Sequence, residues 1–159
     1  MPDATRVGRV RLQVADLQRS VDYDERVLGL VVRTRTEAGA VLTPHGDEHV
    51  LVELHEKRGV QRAPTRGAFG LFHFAMLLLS RADLGRFVAH VASLGVRLGA
   101  ADHWVSEAVY LTDPDGLGIE VYSDRPRSQW QLRGRELAMS TEALDLDPWG
   151  TRLRVAPVA

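Results

Sequence analysis

His103, Tyr110 and Glu120 bring an imidazole, a phenol and a carboxylate into one stretch of eighteen residues. These are the side chains that move protons between heteroatoms or, for His and Glu, hold a metal ion. Between Tyr110 and Glu120 lies Asp113-Pro114-Asp115-Gly116, a composition that by itself specifies a tight turn. The run that follows, Gly118 to Ser123, reads as a strand in which Ile119 and Val121 are apolar and Glu120 is not. Turn chemistry accounts for the Asp, Pro and Gly residues but leaves His103, Tyr110 and Glu120 unexplained.

Composition bounds the chemistry available. The 159 residues are 45% hydrophobic and 26% charged, with a net charge of -1, the profile of one soluble globular domain with a substantial core. Acidic and basic residues are interspersed, so a nucleic-acid partner is not expected. No cysteine is present, which leaves His, Asp and Glu as the only ligands for a metal. No apolar run approaches the ~20 residues of a membrane helix, and MPDATRVGRV carries neither a signal-peptide core nor a lipidation motif. A cytoplasmic protein with a small-molecule partner and no membrane association is the expectation.

The chain repeats itself. Ala15-Asp16-Leu17-Gln18-Arg19 is answered by Ala82-Asp83-Leu84-Gly85-Arg86, and Val52-Glu53-Leu54 by Ile119-Glu120-Val121, both at an offset of 67 residues. Each half reads as strand, helix and three shorter strands. The first has Val7 to Val14, a helix from Leu17 to Leu28, then Val31 to Thr36, Ala40 to Thr43 and Val50 to His55. The second has Phe72 to Leu79, a helix striped by Leu84, Phe87, Val88, Val91 and Leu94 with Asp83 as N-cap and Gly95 as stop, then Val96 to Leu98, Trp104 to Leu111 and Gly118 to Ser123. This predicts an α+β fold of two βαβββ modules, about 7–56 and 71–124, in a domain spanning 1–124. Lys57 to Gly67 reads as a linker and 125–159 as a C-terminal arm.

Strand parity then sorts side chains by face. Val10, Leu12 and Val14 oppose Arg9 and Arg11. Val52 and Leu54 oppose Glu53, Phe74 and Met76 oppose His73, and Ile119 and Val121 oppose Glu120. Arg9, Glu53, His73 and Glu120 thus occupy equivalent polar positions on the outer strands of the two modules. A lone His or Glu on a strand is more often a hydrogen-bonded or solvated group than a functional one. Four at matching positions of a duplicated unit are expected to converge.

At these residues the sequence resembles the vicinal oxygen chelate superfamily of glyoxalases, bleomycin-resistance proteins and extradiol dioxygenases, and within it the N-terminal domain of two-domain catechol 2,3-dioxygenases. The resemblance runs from about Val7 to Asp124, with DRPRSQW and TEALDLD similar to the arm that follows that domain. His103, Val109-Tyr110, Asp113-Pro114, Gly116 and Glu120 match the spacing of the extradiol motif, while Ala101 replaces a residue usually polar or β-branched, and Asp24 stands where the first helix usually has Tyr.

The resemblance implies a curled mixed sheet forming a cup, with helices on its outer face, around a divalent metal: Fe(II) in a dioxygenase, otherwise Mn, Ni or Zn. It implies His73, Glu120 and Glu53 as metal ligands, His103 and Tyr110 as catalytic residues, Arg9 and Tyr122 as substrate contacts, and a homodimer. Its departure is Arg9, where the dioxygenase triad has a His; a guanidinium has no lone pair for a metal. Two readings stay open at that position. Either Glu53 replaces the missing His, or Arg9 takes the metal's place in a closed ion cluster and no metal binds. The expected function is that of an extradiol dioxygenase-like enzyme acting on a catecholic or other oxygen-chelating substrate. The alternatives are a non-catalytic ligand-binding protein of the bleomycin-resistance type and a vestigial domain used for dimerisation.

Overall fold

The computed structural model describes residues 7–62, 70–146 and 155–156. Parts of the expected linker (63–67) and of the expected arm (147–154 and 157–159) lie outside them. The chain divides into two compact units, Met1–Phe69 with Asp113–Gly116 and Gly70–Thr112 with Leu117–Ala159.

In the first unit, β1 (Val10–Val14) is followed by α1 (Leu17–Tyr23), β2 (Leu30–Arg35), β3 (Gly39–Pro44) and β4 (Val52–Glu56). The sheet order is β1-β4-β3-β2, with β1 parallel to β4 and the other pairs antiparallel. The Asp16 side chain caps α1 by accepting from the Arg19 backbone N–H. After Tyr23 the helix widens into a π turn, Asp24–Leu28, closed by Gly29 at φ 72°. The expected helix from Leu17 to Leu28 is therefore continuous but not α throughout. Leu12, Val14, Val21, Leu42, Val52 and Leu54 are buried, and each such side chain contributes about 1.5–3 kcal/mol by leaving water.

The second unit repeats this plan. β5 (His73–Leu77), α2 (Arg81–Ser93), β6 (Leu98–Asp102), β7 (Ser106–Thr112) and β8 (Gly118–Asp124) give the order β5-β8-β7-β6, with β5 parallel to β8. The segment after β8 adds β9 (Leu132–Arg133) and β10 (Glu136–Leu137), which pair with each other. It also adds β11 (Glu142–Ala143) and β12 (Val155–Ala156), which both pair with β6. The two βαβββ-like modules, in open mixed sheets, are those expected from the duplicated sequence.

Two local expectations are corrected. The N-cap of α2 is Ser80, whose Oγ accepts from the Asp83 backbone N–H; Asp83 sits a turn inside, where its charge suits the helix N-terminus. The second strand of the second module spans Leu98–Asp102 and not Val96 to Leu98, because α2 ends at Ser93 with Leu94 as its C-cap, and Gly95, at φ 68°, turns the chain before the strand can begin. On the edge strand β5, moreover, neither face is deeply buried: Phe74 and Met76 are half-buried, while Phe72 and Leu77 are exposed.

Candidate functional site

Glu120 lies on β8 between Ile119 and Val121, both buried, with its own side chain on the opposite face. Its register partners are Ala75 on β5 and Tyr110 on β7. His73 enters the same face from the start of β5, opposite Gly118. A Cβ at Gly118 would come within 2.9 Å of both the His73 Cβ and the Phe72 carbonyl oxygen. Glycine there is what lets β5 approach β8 closely enough to bring His73 to Glu120.

Glu120, Tyr110 and His103 form one hydrogen-bonded chain within the second unit, and His73 meets its Glu120 end in an ion-pair contact. His73 Nε2 is 3.1 Å from Glu120 Oε2, and the Tyr110 hydroxyl donates to Glu120 Oε1 at 3.0 Å. His103 Nε2 is 2.6 Å from the Tyr110 oxygen, and His103 Nδ1 is 2.8 Å from the Ser140 carbonyl oxygen. The carbonyl is only an acceptor, so Nδ1 carries a proton and donates to it. Tyr110 has one hydroxyl proton; while it goes to Glu120, the contact with His103 is a hydrogen bond only if Nε2 is protonated as well. With all its bonds made, the chain therefore holds one proton more than neutral His103, neutral Tyr110 and ionised Glu120 would supply. Burial, then the Glu120 charge and hydrogen bond, push the Tyr110 hydroxyl far above its usual range, so it remains a donor at neutral pH. Tyr122, next on the same face, is also raised, by burial and by the charges of Asp124 and Glu120.

The first unit holds the other expected pair. Glu53 is buried; its Oε2 accepts from Arg11 Nε at 2.7 Å, and its Oε1 is ion-paired with Arg9 Nε at 2.9 Å, one arginine on each carboxylate oxygen. The Arg11 hydrogen bond, with the nearby arginine charges, holds this carboxyl below its usual range against the opposing effect of burial. Arg11 is the register partner of Glu53 on the parallel strand; it shares the face of Arg9, which was the available signal for its role. Ser140 had none, because a backbone carbonyl in an irregular segment leaves no trace in residue type.

Divalent ions bind N and O donors at about 2.1 Å, so two donors at right angles lie about 3.0 Å apart. The 3.1 Å between His73 Nε2 and Glu120 Oε2 fits that edge of a coordination shell. Two features fall short of a full site. Among the described residues no group of three or more His, Asp or Glu is arranged to hold a metal. His73 Nδ1, which in a metal-bound His usually donates to an outer partner, is buried without one among the described residues. The protein supplies two donors, and Glu53 has both oxygens engaged by arginines.

Comparison with known proteins gives the family and the fold. The chain is 43% identical over 145 residues, 90% of its length, to catechol-2,3-dioxygenase from Bacillus subtilis (strain 168), of which it spans half. It is 28% identical over 116 residues to glutathione transferase FosA from Serratia marcescens, covering 73% of this chain and 79% of that one. A glyoxalase/dioxygenase structure from Nostoc punctiforme superposes with a TM-score of 0.63 at 20% identity, covering 78% of this chain and 94% of the other, a likeness of fold. The family model of the glyoxalase/bleomycin resistance protein/dioxygenase superfamily matches residues 6–121, both modules and every residue of the His73–Glu120–Tyr110–His103 chain among them. This protein belongs to that superfamily.

Proposed function

We propose that the protein is extradiol dioxygenase-like and takes a small catecholic or other vicinal-oxygen substrate at the His73–Glu120–Tyr110–His103 array, with a divalent metal held by His73 Nε2 and Glu120. The observation that carries this is the 3.1 Å contact of His73 Nε2 with Glu120 Oε2 at the head of a hydrogen-bonded chain that runs from Glu120 through Tyr110 and His103 to the Ser140 carbonyl. Its similarity to a catechol-2,3-dioxygenase supports the substrate class. A divalent ion bound there would neutralise catecholate charge and polarise the vicinal oxygens.

The rest falls to the side chains. Ser140 keeps the proton on His103 Nδ1, so exchange is confined to Nε2. A substrate hydroxyl that displaces Tyr110 from Nε2 meets a nitrogen that accepts a proton when neutral and returns it when charged. Tyr110, held protonated, donates to the oxygen that becomes anionic. Tyr122 borders the same face and orients the ring.

Supplying the chain with Fe(II), oxygen and a catechol panel tests this. Oxygen uptake matched by the absorbance of a ring-opened product is expected. The two-donor set favours one other reading, a binding protein that holds the ligand without turning it over. Saturable catechol binding by calorimetry with no oxygen uptake would establish that reading and overturn the enzymatic one.

A further inference from the structure

We propose that a cavity of about 290 Å³ lined by Trp104, Arg125, Gln129 and Gln131 is a binding site for a small planar aromatic anion. It shares no residue with the His73–Glu120 array.

The first observation is a backbone one. Trp104, in the turn between β6 and β7, has φ 68°, and among the described residues it is the only non-glycine with positive φ. Gly or Asn would make this turn without cost, so a bulky side chain held there is an outlier of the kind that collects at ligand sites. The Trp104 backbone is also held on both sides: its main-chain N–H donates to Asp102 Oδ1 at 2.8 Å, and its main-chain carbonyl accepts from Arg125 Nη1 at 3.2 Å. Arg133 lies over the Trp104 ring at 5.2 Å from its centroid.

The second observation is the charge around the cavity. Arg125 Nη2 donates to Asp102 Oδ2 at 2.7 Å and to Glu107 Oε1 at 2.9 Å, and Arg81 Nε reaches Glu107 Oε2 at 2.6 Å. Arg127 covers Trp130, whose indole N–H donates to the Arg125 carbonyl. The guanidinium groups of Arg125, Arg127 and Arg133 thus accompany the carboxylates of Asp102 and Glu107, and Glu107 is shared with Arg81. Of the five N–H groups of Arg125, the bonds to Trp104, Asp102 and Glu107 use three, leaving two for a ligand oxygen. Gln129 and Gln131 add exposed amides at the rim. A positioned indole face selects an aromatic ring, the guanidinium groups select an anion, and the small volume limits the ligand to one or two fused rings.

Titration of the full chain with 2-naphthoate, followed by NMR of the tryptophan indole N–H signals, tests the assignment. A saturable shift of the Trp104 signal is expected, with affinity at least about tenfold lower in Trp104→Gly, since ring stacking carries an effect of that size. Glycine is the residue that φ 68° favours, so this variant keeps the turn. The uncharged 2-naphthamide is expected to bind more weakly, and Glu120→Gln to leave naphthoate affinity unchanged. No saturable shift, equal affinity in Trp104→Gly, or loss of binding in Glu120→Gln would each overturn the proposal.

Discussion

Replacing Asp24 by asparagine is expected to stabilise the protein at pH 8 and to flatten its stability between pH 4 and 7. Asp24 is buried at the junction of α1 with the π turn, and its pKa is raised from 3.8 to about 7, first by burial and then by the charge of Asp113. Below pH 4 both folded and unfolded chains are protonated at this position. Between pH 4 and 7 the folded chain keeps a proton that the unfolded chain has released, so stability falls with rising pH by about 1.4 kcal/mol per pH unit. The loss accumulates to about 4 kcal/mol and levels off above pH 7, where the folded chain carries a buried anion. Nearby, Ser20 Oγ and the Tyr23 hydroxyl are buried without hydrogen-bond partners among the described residues, and burial with the charges of Asp113 and Asp24 raises the Tyr23 hydroxyl as well. The Asp24→Asn substitution removes the titrating charge at nearly constant volume. Urea unfolding at pH 5 and pH 8 measures the effect: the variant should gain about 2–4 kcal/mol at pH 8 and much less at pH 5. Equal shifts at both pH values would mean that Asp24 titrates normally.

His103→Ala carries the largest expected effect on turnover. Removing a positioned acid/base costs about 10²–10⁴-fold in rate, while His73 and Glu120 keep their 3.1 Å contact. The variant should retain metal and catechol affinity and lose kcat. Steady-state oxygen uptake across pH separates the cases. A fall in affinity with kcat unchanged would make His103 a binding group only.

Much of this was legible in residue order. The 67-residue offset implied two modules because duplicated strands must repeat their hydrogen-bonding order, and both sheets do so. Parity placed His73 and Glu120 on equivalent faces because side-chain direction alternates strictly along a strand, and only the motif spacing added Tyr110, which the register sets beside Glu120. What residue order left open was decided by backbone geometry. Residue type favours Asp83 as the cap of α2, but the cap falls where the chain leaves the extended conformation, at Ser80 with φ -153°. The tautomer of His103 rests on a main-chain oxygen thirty-seven residues away. Glu53 as a ligand came from the family resemblance; its two arginine partners depend on the parallel register of β1 with β4, which sets Arg11 beside it. Asp24 stood out as a departure from the family pattern, but its perturbation needed the position of Asp113, which lies far along the chain and belongs to the same unit.

On the proposed function, His73 and Glu120 hold a metal ion as a pair. Calorimetric titration of the metal-free chain with Mn(II) or, without oxygen, Fe(II) tests it most directly, beside His73→Ala and Glu120→Gln. One ion per chain is expected, with affinity in each variant reduced by more than the roughly 10–100-fold that loss of an outer-sphere partner costs. An unmodified chain that takes up no ion, or variants that bind as tightly as it does, would contradict it.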